Sequence, residues 1–176
     1  LIAGEIVEMV PIGSEHGATV IRFNRLFDPA ALAGTAIVAV QSPLRLNAHS
    51  EPVPDLMLLR PRTDDYASGH PTPADVLLAV EVAKSSLDYD RGPKADLYAA
   101  EGVAELWVVD LAGRRVEVCR APGSAGYGER EVGAAHLYVI GVRRGIHVGR
   151  GRWHRRVEYP RGPVVSTDAE IIVGGS

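Results

Sequence analysis

Asp55 and Glu81 are acids set in otherwise apolar, strand-like runs, Val53-Pro54-Asp55-Leu56-Met57-Leu58-Leu59 and Val76-Leu77-Leu78-Ala79-Val80-Glu81-Val82-Ala83. An ionised carboxylate in such a run must leave water, which costs several kcal/mol unless a cation or strong donors meet it. Two such acids in successive strands point to one shared cation. Phosphodiester hydrolysis uses these parts: an oxygen-ligated divalent ion that lowers the pKa of water and neutralises developing charge, with an amine near the nucleophile as a positive point charge. Ordinary readings stand beside this one. Asp55 follows a proline near a turn, and a structural ion pair with Arg45 or Lys94 would also satisfy Glu81.

Two lysines follow Glu81. Strand alternation puts Glu81 and Ala83 on one face and turns Lys84 to the other. Lys94 falls in the first turn of the helix expected next, from which it can reach back over the strand's end, with Tyr98 one turn further on the same face. The alternative for Lys94 is an exposed helical pair with Asp90.

Several elements must position these residues. Leu1 to Val10 reads as a strand or hairpin arm. From Ser14 the apolar residues Val20, Ile21, Phe23, Leu26, Phe27 and Leu32 recur every three to four positions, predicting an amphipathic helix capped by Ser14 with Glu15 and perturbed near Pro29. Thr35 to Gln41 reads as a strand, and Leu44 to Leu46 continues its course with Arg45 facing out. The Asp55 strand runs to about Arg60. A long polar connection rich in breakers leads to the Glu81 strand, whose continuous apolar character marks it as central. Asp90 is expected to cap a helix opened by Pro93 and ended by Gly102. Leu106 to Asp110 and Arg115 to Arg120 should pair as a hairpin. Beyond Ala121 the pattern decays into weak strands, including Leu137 to Ile140 and Glu170 to Val173. The fold class expected is α/β, a central mixed sheet flanked by helices. Trp107 and Tyr98 read as core residues.

With 176 residues and 46% hydrophobic composition, the chain is long enough for one domain with a sizeable core and short for two. The formal charge of −3 hides an uneven split, since acids outnumber bases about two to one up to Asp110 and arginines reverse the balance beyond it. Those arginines lack aromatic interleaving, so a solvated face is the simpler meaning. Cys119 has no partner for a disulfide or a thiolate zinc site, which fits a reducing, cytoplasmic setting. No apolar run approaches a bilayer span and no leader pattern is evident, although the start at Leu1 leaves open what precedes it.

The ordered series Gly4-Glu5-Ile6-Val7-Glu8-Met9, His16, Gln41-Ser42-Pro43-Leu44-Arg45-Leu46, Glu51-Pro52-Val53-Pro54-Asp55-Leu56, Asp75 to Ala83, Ser85-Ser86, Tyr89-Asp90, Lys94 to Tyr98, Gly102-Val103 and Trp107-Val108-Val109-Asp110 resembles the Uma2 family of restriction endonuclease-like proteins, which have the PD-(D/E)XK nuclease fold. The resemblance covers residues 1–130, implying a nuclease domain there. It leaves 131–176 as a divergent Arg/Gly-rich segment packed on or trailing the same domain. It further implies Asp55 and Glu81 as metal-binding acids, the main-chain carbonyl of Val82 as a further ligand, and Mg²⁺ or Mn²⁺ as the cofactor. Ala83 occupies the place where the superfamily carries its lysine, a role that passes to Lys94. Glu5 and His16 fall near the site as an additional acid and a polar helper, and Gln41 as a nucleophile-positioning group. Lys84 departs from the family pattern, which has an acid or proline there.

The expected activity is metal-dependent endonucleolytic hydrolysis of DNA, with Asp55, Glu81 and Lys94 as catalytic residues. The alternative is an inactive nuclease-fold module that binds nucleic acid or protein. DNA is the expected partner, with no membrane and no organic cofactor; a homodimer is one candidate assembly, and the sequence leaves the oligomeric state open.

Overall fold

The computed structural model describes residues 13–134. The first helix, α1 (Ser14–Leu32), leads into strands β1 (Ile37–Val40) and β2 (Leu56–Leu59). A single 3₁₀ turn, Pro73–Asp75, precedes β3 (Val76–Ala83), and two short helices follow it, α2 (Leu87–Arg91) and α3 (Pro93–Ala100). Strands β4 (Glu105–Asp110), β5 (Arg115–Gly123) and β6 (Gly126–Ala134) complete the order. The six strands form one sheet in sequence order. Neighbours run antiparallel except β3 and β4, which are parallel. A parallel pair needs a crossover, and α2 and α3 supply it. The result is the expected α/β mixed sheet with helices on both faces.

Alternation along β3 explains the layers. Leu78, Val80 and Val82 join the cluster beneath α1, where Phe23, Phe27 and Trp107 meet with ring centroids 6.2 to 6.4 Å apart. Ala79 and Ala83 turn to the other face, against Ala95, Tyr98 and Ala99 of α3. Alanine on both sides of that contact lets α3 approach the sheet closely. All eight residues of β3 are buried, as a central strand requires.

Local details differ from the sequence expectations. Gly13, with extended backbone, occupies the cap position of α1, so Ser14 is the first helical residue and makes no capping bond. Pro29 lies inside α1, which continues to Leu32. Leu44 and Leu46 are buried and Arg45 is exposed, as alternation predicts, but the segment forms no strand. Asp55 sits one residue before β2, in a bend.

Asp90 does not cap the helix containing Lys94. The helical path begins earlier, at Leu87, and is broken at Gly92, whose φ −104° and ψ −108° lie outside the helical range. Pro93 enforces the break, because its ring disfavours a helical residue before it. No periodic signal marks strand β6: last in the described sheet and mostly exposed, it carries polar residues on both faces, and only the Gly123-Ser124-Ala125-Gly126 turn announces it. The expectations for Leu1 to Val10, Leu137 to Ile140 and Glu170 to Val173 lie outside the described residues.

Candidate active site

The register between β2 and β3 brings the two acids together. Leu56 pairs with Val80, so one step further the ladder would set Asp55 opposite Glu81. The sheet holds Asp55 in place through its main chain, whose carbonyl accepts the Gln41 N–H at 3.1 Å. Its side chain reaches across to β3, where the Val82 N–H donates to Oδ2 at 2.8 Å. The same oxygen lies 3.0 Å from Nε2 of His16, in the first turn of α1. His16 Nδ1 is buried and has no hydrogen-bond partner among the described residues.

Glu81 is sealed in, with 2% of its surface exposed. The Tyr98 hydroxyl donates to Oε1 at 2.7 Å, and the Lys94 ammonium lies 2.8 Å from Oε2. Lys94 Nζ also lies 3.4 Å from Oδ1 of Asp90, whose other oxygen accepts the Ser86 hydroxyl at 2.5 Å. Lys94 and Tyr98 stand one turn apart on α3 and therefore share the face that meets the sheet. Asp90 faces them from α2, across the break at Gly92.

Charge within this cluster is unbalanced. Burial pushes the Glu81 carboxyl up to about 7; the Lys94 ammonium opposes that rise, and the negative charges of Asp55 and Asp90 add to it. Burial also acts to lower Lys94, but the carboxylates of Glu81 and Asp90 outweigh it and hold the ammonium above its ordinary value. Lys94 therefore stays charged. The Tyr98 phenol is driven well above its usual value, by burial first and by Glu81 next, so it remains a donor.

Three carboxylates, Asp55, Glu81 and Asp90, thus act on the one ammonium of Lys94. That deficit of positive charge, together with hard oxygen donors, suits a divalent cation. Among the described residues no three His, Cys, Asp or Glu side chains converge as ligands on one point. A cation here would take the two acids Asp55 and Glu81 and the Val82 carbonyl, and complete its shell from solvent and substrate. Mg²⁺ fits that pattern, since it commonly binds one or two carboxylates with phosphates and water.

A family model described as "Uma2: Putative restriction endonuclease" matches residues 1–143. The chain belongs to the Uma2 family. A solved structure described as a "putative nuclease belonging to DUF820" from Anabaena variabilis ATCC 29413 aligns with a TM-score of 0.56 and 17% identity, over 74% of this chain and 73% of that one. At that identity the likeness shows a shared fold. No curated protein matches the chain.

Of the site residues expected in this Uma2 chain, Asp55, Glu81, Val82, Lys94 and His16 come together. Gln41 contributes its main-chain N–H, while its side chain is exposed and its φ of 47° turns the chain out of β1. Glu5 lies outside the described residues. Lys84 is turned to the α1 side, as alternation required, and pairs with Glu15 at 2.8 Å. Glu81 pairs with Lys94 and not with Arg45, which lies 3.9 Å from Glu51. Two members of the cluster carried no functional reading in the sequence. Asp90 read as a cap or as the partner of Lys94 in an exposed pair, and Tyr98 as core one turn beyond Lys94 on the same face; the pair exists at 3.4 Å but is largely buried. No described helix is long and apolar enough to cross a membrane.

Proposed function

We propose that this Uma2 protein is a Mg²⁺- or Mn²⁺-dependent endonuclease that hydrolyses phosphodiester bonds in DNA. The observation that carries this reading is the Lys94 ammonium held between Glu81 and Asp90, in a pocket whose acids outnumber its cation. Asp55 and Glu81, with the Val82 carbonyl, would hold the metal. When bound, the ion would supply Lewis-acid stabilisation of the phosphate and a more acidic water.

The remaining work falls to the chain's own residues. His16 and the Val82 N–H fix the rotamer of Asp55 by occupying Oδ2, which would leave Oδ1 to ligate the metal. Tyr98 anchors Glu81 through Oε1. Lys94 presents a permanent positive charge beside the nucleophile and the developing phosphate charge, and Asp90 keeps it from folding away. A lysine delivered from a helix replaces the one that Ala83 does not supply.

A second reading has its own observation. Both oxygens of Glu81 already have donors within the protein, so the acid is satisfied without metal, as it would be in an inactive nucleic-acid or protein-binding module. Cleavage of supercoiled, linear and single-stranded DNA with Mg²⁺ or Mn²⁺, and Mn²⁺ binding by titration calorimetry, separate the two. Endonuclease activity predicts metal-dependent cleavage lost in Asp55→Ala and Glu81→Ala, with weakened Mn²⁺ binding in both. DNA affinity that persists without metal and survives Glu81→Ala, with no cleavage of any form, favours the module.

A further inference from the structure

The geometry of Lys94 depends on a joint that the sheet grips from outside the site. Asp90 and Lys94 lie on either side of Gly92, in α2 and α3, so their separation is set by the angle of the break between those helices. Gly92 is required there, since a Cβ would come within 2.7 Å of the Asp88 carbonyl oxygen. The main chain of Gly92 bonds to both helices, its N–H donating to the Asp88 carbonyl at 3.1 Å and its carbonyl accepting the Asp96 N–H at 2.9 Å.

The hairpin of β5 and β6 adds side-chain contacts to this joint. Arg130 on β6 donates from Nη1 to the main-chain carbonyl of Arg91, the residue before Gly92, at 2.9 Å. The same nitrogen donates to Oε1 of Glu117 on β5 at 2.9 Å, and Nη2 lies 3.6 Å from Asp96 of α3. Arg91 closes the ring, its Nη2 lying 3.2 Å from the other oxygen of Glu117. One guanidinium therefore touches the last residue of α2, the first turn of α3, and a buried carboxylate on the sheet. Guanidinium suits this task because its rigid fork fixes several acceptors in one plane.

We propose that Arg130, seated on Glu117, is a positioning residue that fixes the α2–α3 joint and with it the placement of Lys94 against Glu81 and Asp90. Its catalytic consequence rests on the nuclease reading above. Its structural consequence, the protection of the Lys94 amine, does not.

The test compares the parent with Arg130→Met and with Arg120→Met. Arg120 lies on the same hairpin and pairs with Glu105 of β4 at 2.9 Å, but alternation puts it on the sheet's other face. Two quantities are measured: the rate at which an amine-reactive ester acylates Lys94, read by peptide mass spectrometry, and kcat and KM for Mn²⁺-dependent plasmid cleavage. Arg130→Met should acylate Lys94 about tenfold faster and lose about 10- to 100-fold in kcat with KM near the parent value, the pattern of a displaced catalytic group. Arg130→Lys should recover part of both, and Arg120→Met should match the parent in both. A folded Arg130→Met with parental acylation and kcat overturns the role. If the parent cuts no DNA, the nuclease reading fails and the acylation rates alone uphold or overturn the brace. If Arg130→Met does not unfold cooperatively, Glu117→Gln decides, because the amide keeps the shape and weakens the hold on both arginines. Faster Lys94 acylation in Glu117→Gln upholds the brace, and a parental rate overturns it.

Discussion

Replacing Glu81 by glutamine should stabilise the metal-free protein increasingly as pH rises. In the folded protein the Glu81 carboxyl is pushed by burial from an ordinary 4.5 up to about 7. Between those values the folded state keeps a proton that the unfolded chain has already released. Stability therefore falls with rising pH: the contribution is fully present below 4.5 and lost as pH passes through about 7. At about 1.4 kcal/mol per pKa unit, the loss amounts to about 3 kcal/mol. Glutamine holds the position neutral at every pH, and Lys94 keeps Asp90 as a partner at 3.4 Å. The stability of Glu81→Gln minus that of the parent should thus grow by about 3 kcal/mol between about pH 4 and pH 8. Urea unfolding in the presence of a chelator measures it, with equal m values as the check that only stability has changed. A difference that stays flat refutes the argument, and one that shrinks as pH rises shows that pairing with Lys94 outweighs burial. Mn²⁺ at about ten times its Kd should then restore about 1.4 kcal/mol to the parent in alkaline buffer and much less to Glu81→Gln.

Three further outcomes follow from single contacts. Tyr98→Phe removes the donor to Oε1 of a carboxylate sealed from water and should cost about 1–3 kcal/mol in urea unfolding, whereas a loss within error would show that the phenol hydroxyl is not needed to hold Glu81. His16→Ala leaves Oδ2 of Asp55 only the Val82 N–H, so Mn²⁺ affinity by calorimetry should fall about tenfold; parental affinity would remove His16 from the site's support. The two lysines should separate cleanly: Lys94→Met is expected to lose about 10²-fold in kcat, while Lys84→Met, 61% exposed and paired with Glu15 behind the sheet, should cleave as the parent does. Equal losses would mean that strand alternation does not govern which amine serves the site.

Much of the fold was legible because burial leaves a periodic trace. Val20, Phe23, Leu26 and Phe27 mark the buried face of α1 at helical spacing, and the unbroken apolar run of β3 marks a strand covered on both sides. What the pattern missed lacked that trace. Strand β6, last in the described sheet, exposes polar residues on both faces, so no alternation distinguishes it from a loop. The Asp55 and Glu81 pair was legible for the opposite reason, since each acid interrupts an apolar run and its burial demands a partner.

Asp90 and Tyr98 were harder because each residue type has an ordinary use in the place it occupies. An aspartate a few residues before a helix-opening proline is what a cap looks like, and a tyrosine among alanines is what core looks like. Only the tertiary approach of α3 to Ala79 and Ala83 converts them, by carrying the Tyr98 hydroxyl and the Lys94 ammonium onto the same carboxylate. The break at Gly92 then acquires a chemical meaning that helix propensity does not suggest. Asp90, Lys94 and Tyr98 stand at four-residue spacing, which sets all three on the side of the helical path that meets the sheet. With Asp90 5% exposed and its carboxylate 3.4 Å from Lys94 Nζ, a second anion stands beside the amine that faces Glu81. Proline and glycine at 93 and 92, which sequence reasoning takes as a helix start, thus lie within the buried support of a charged lysine.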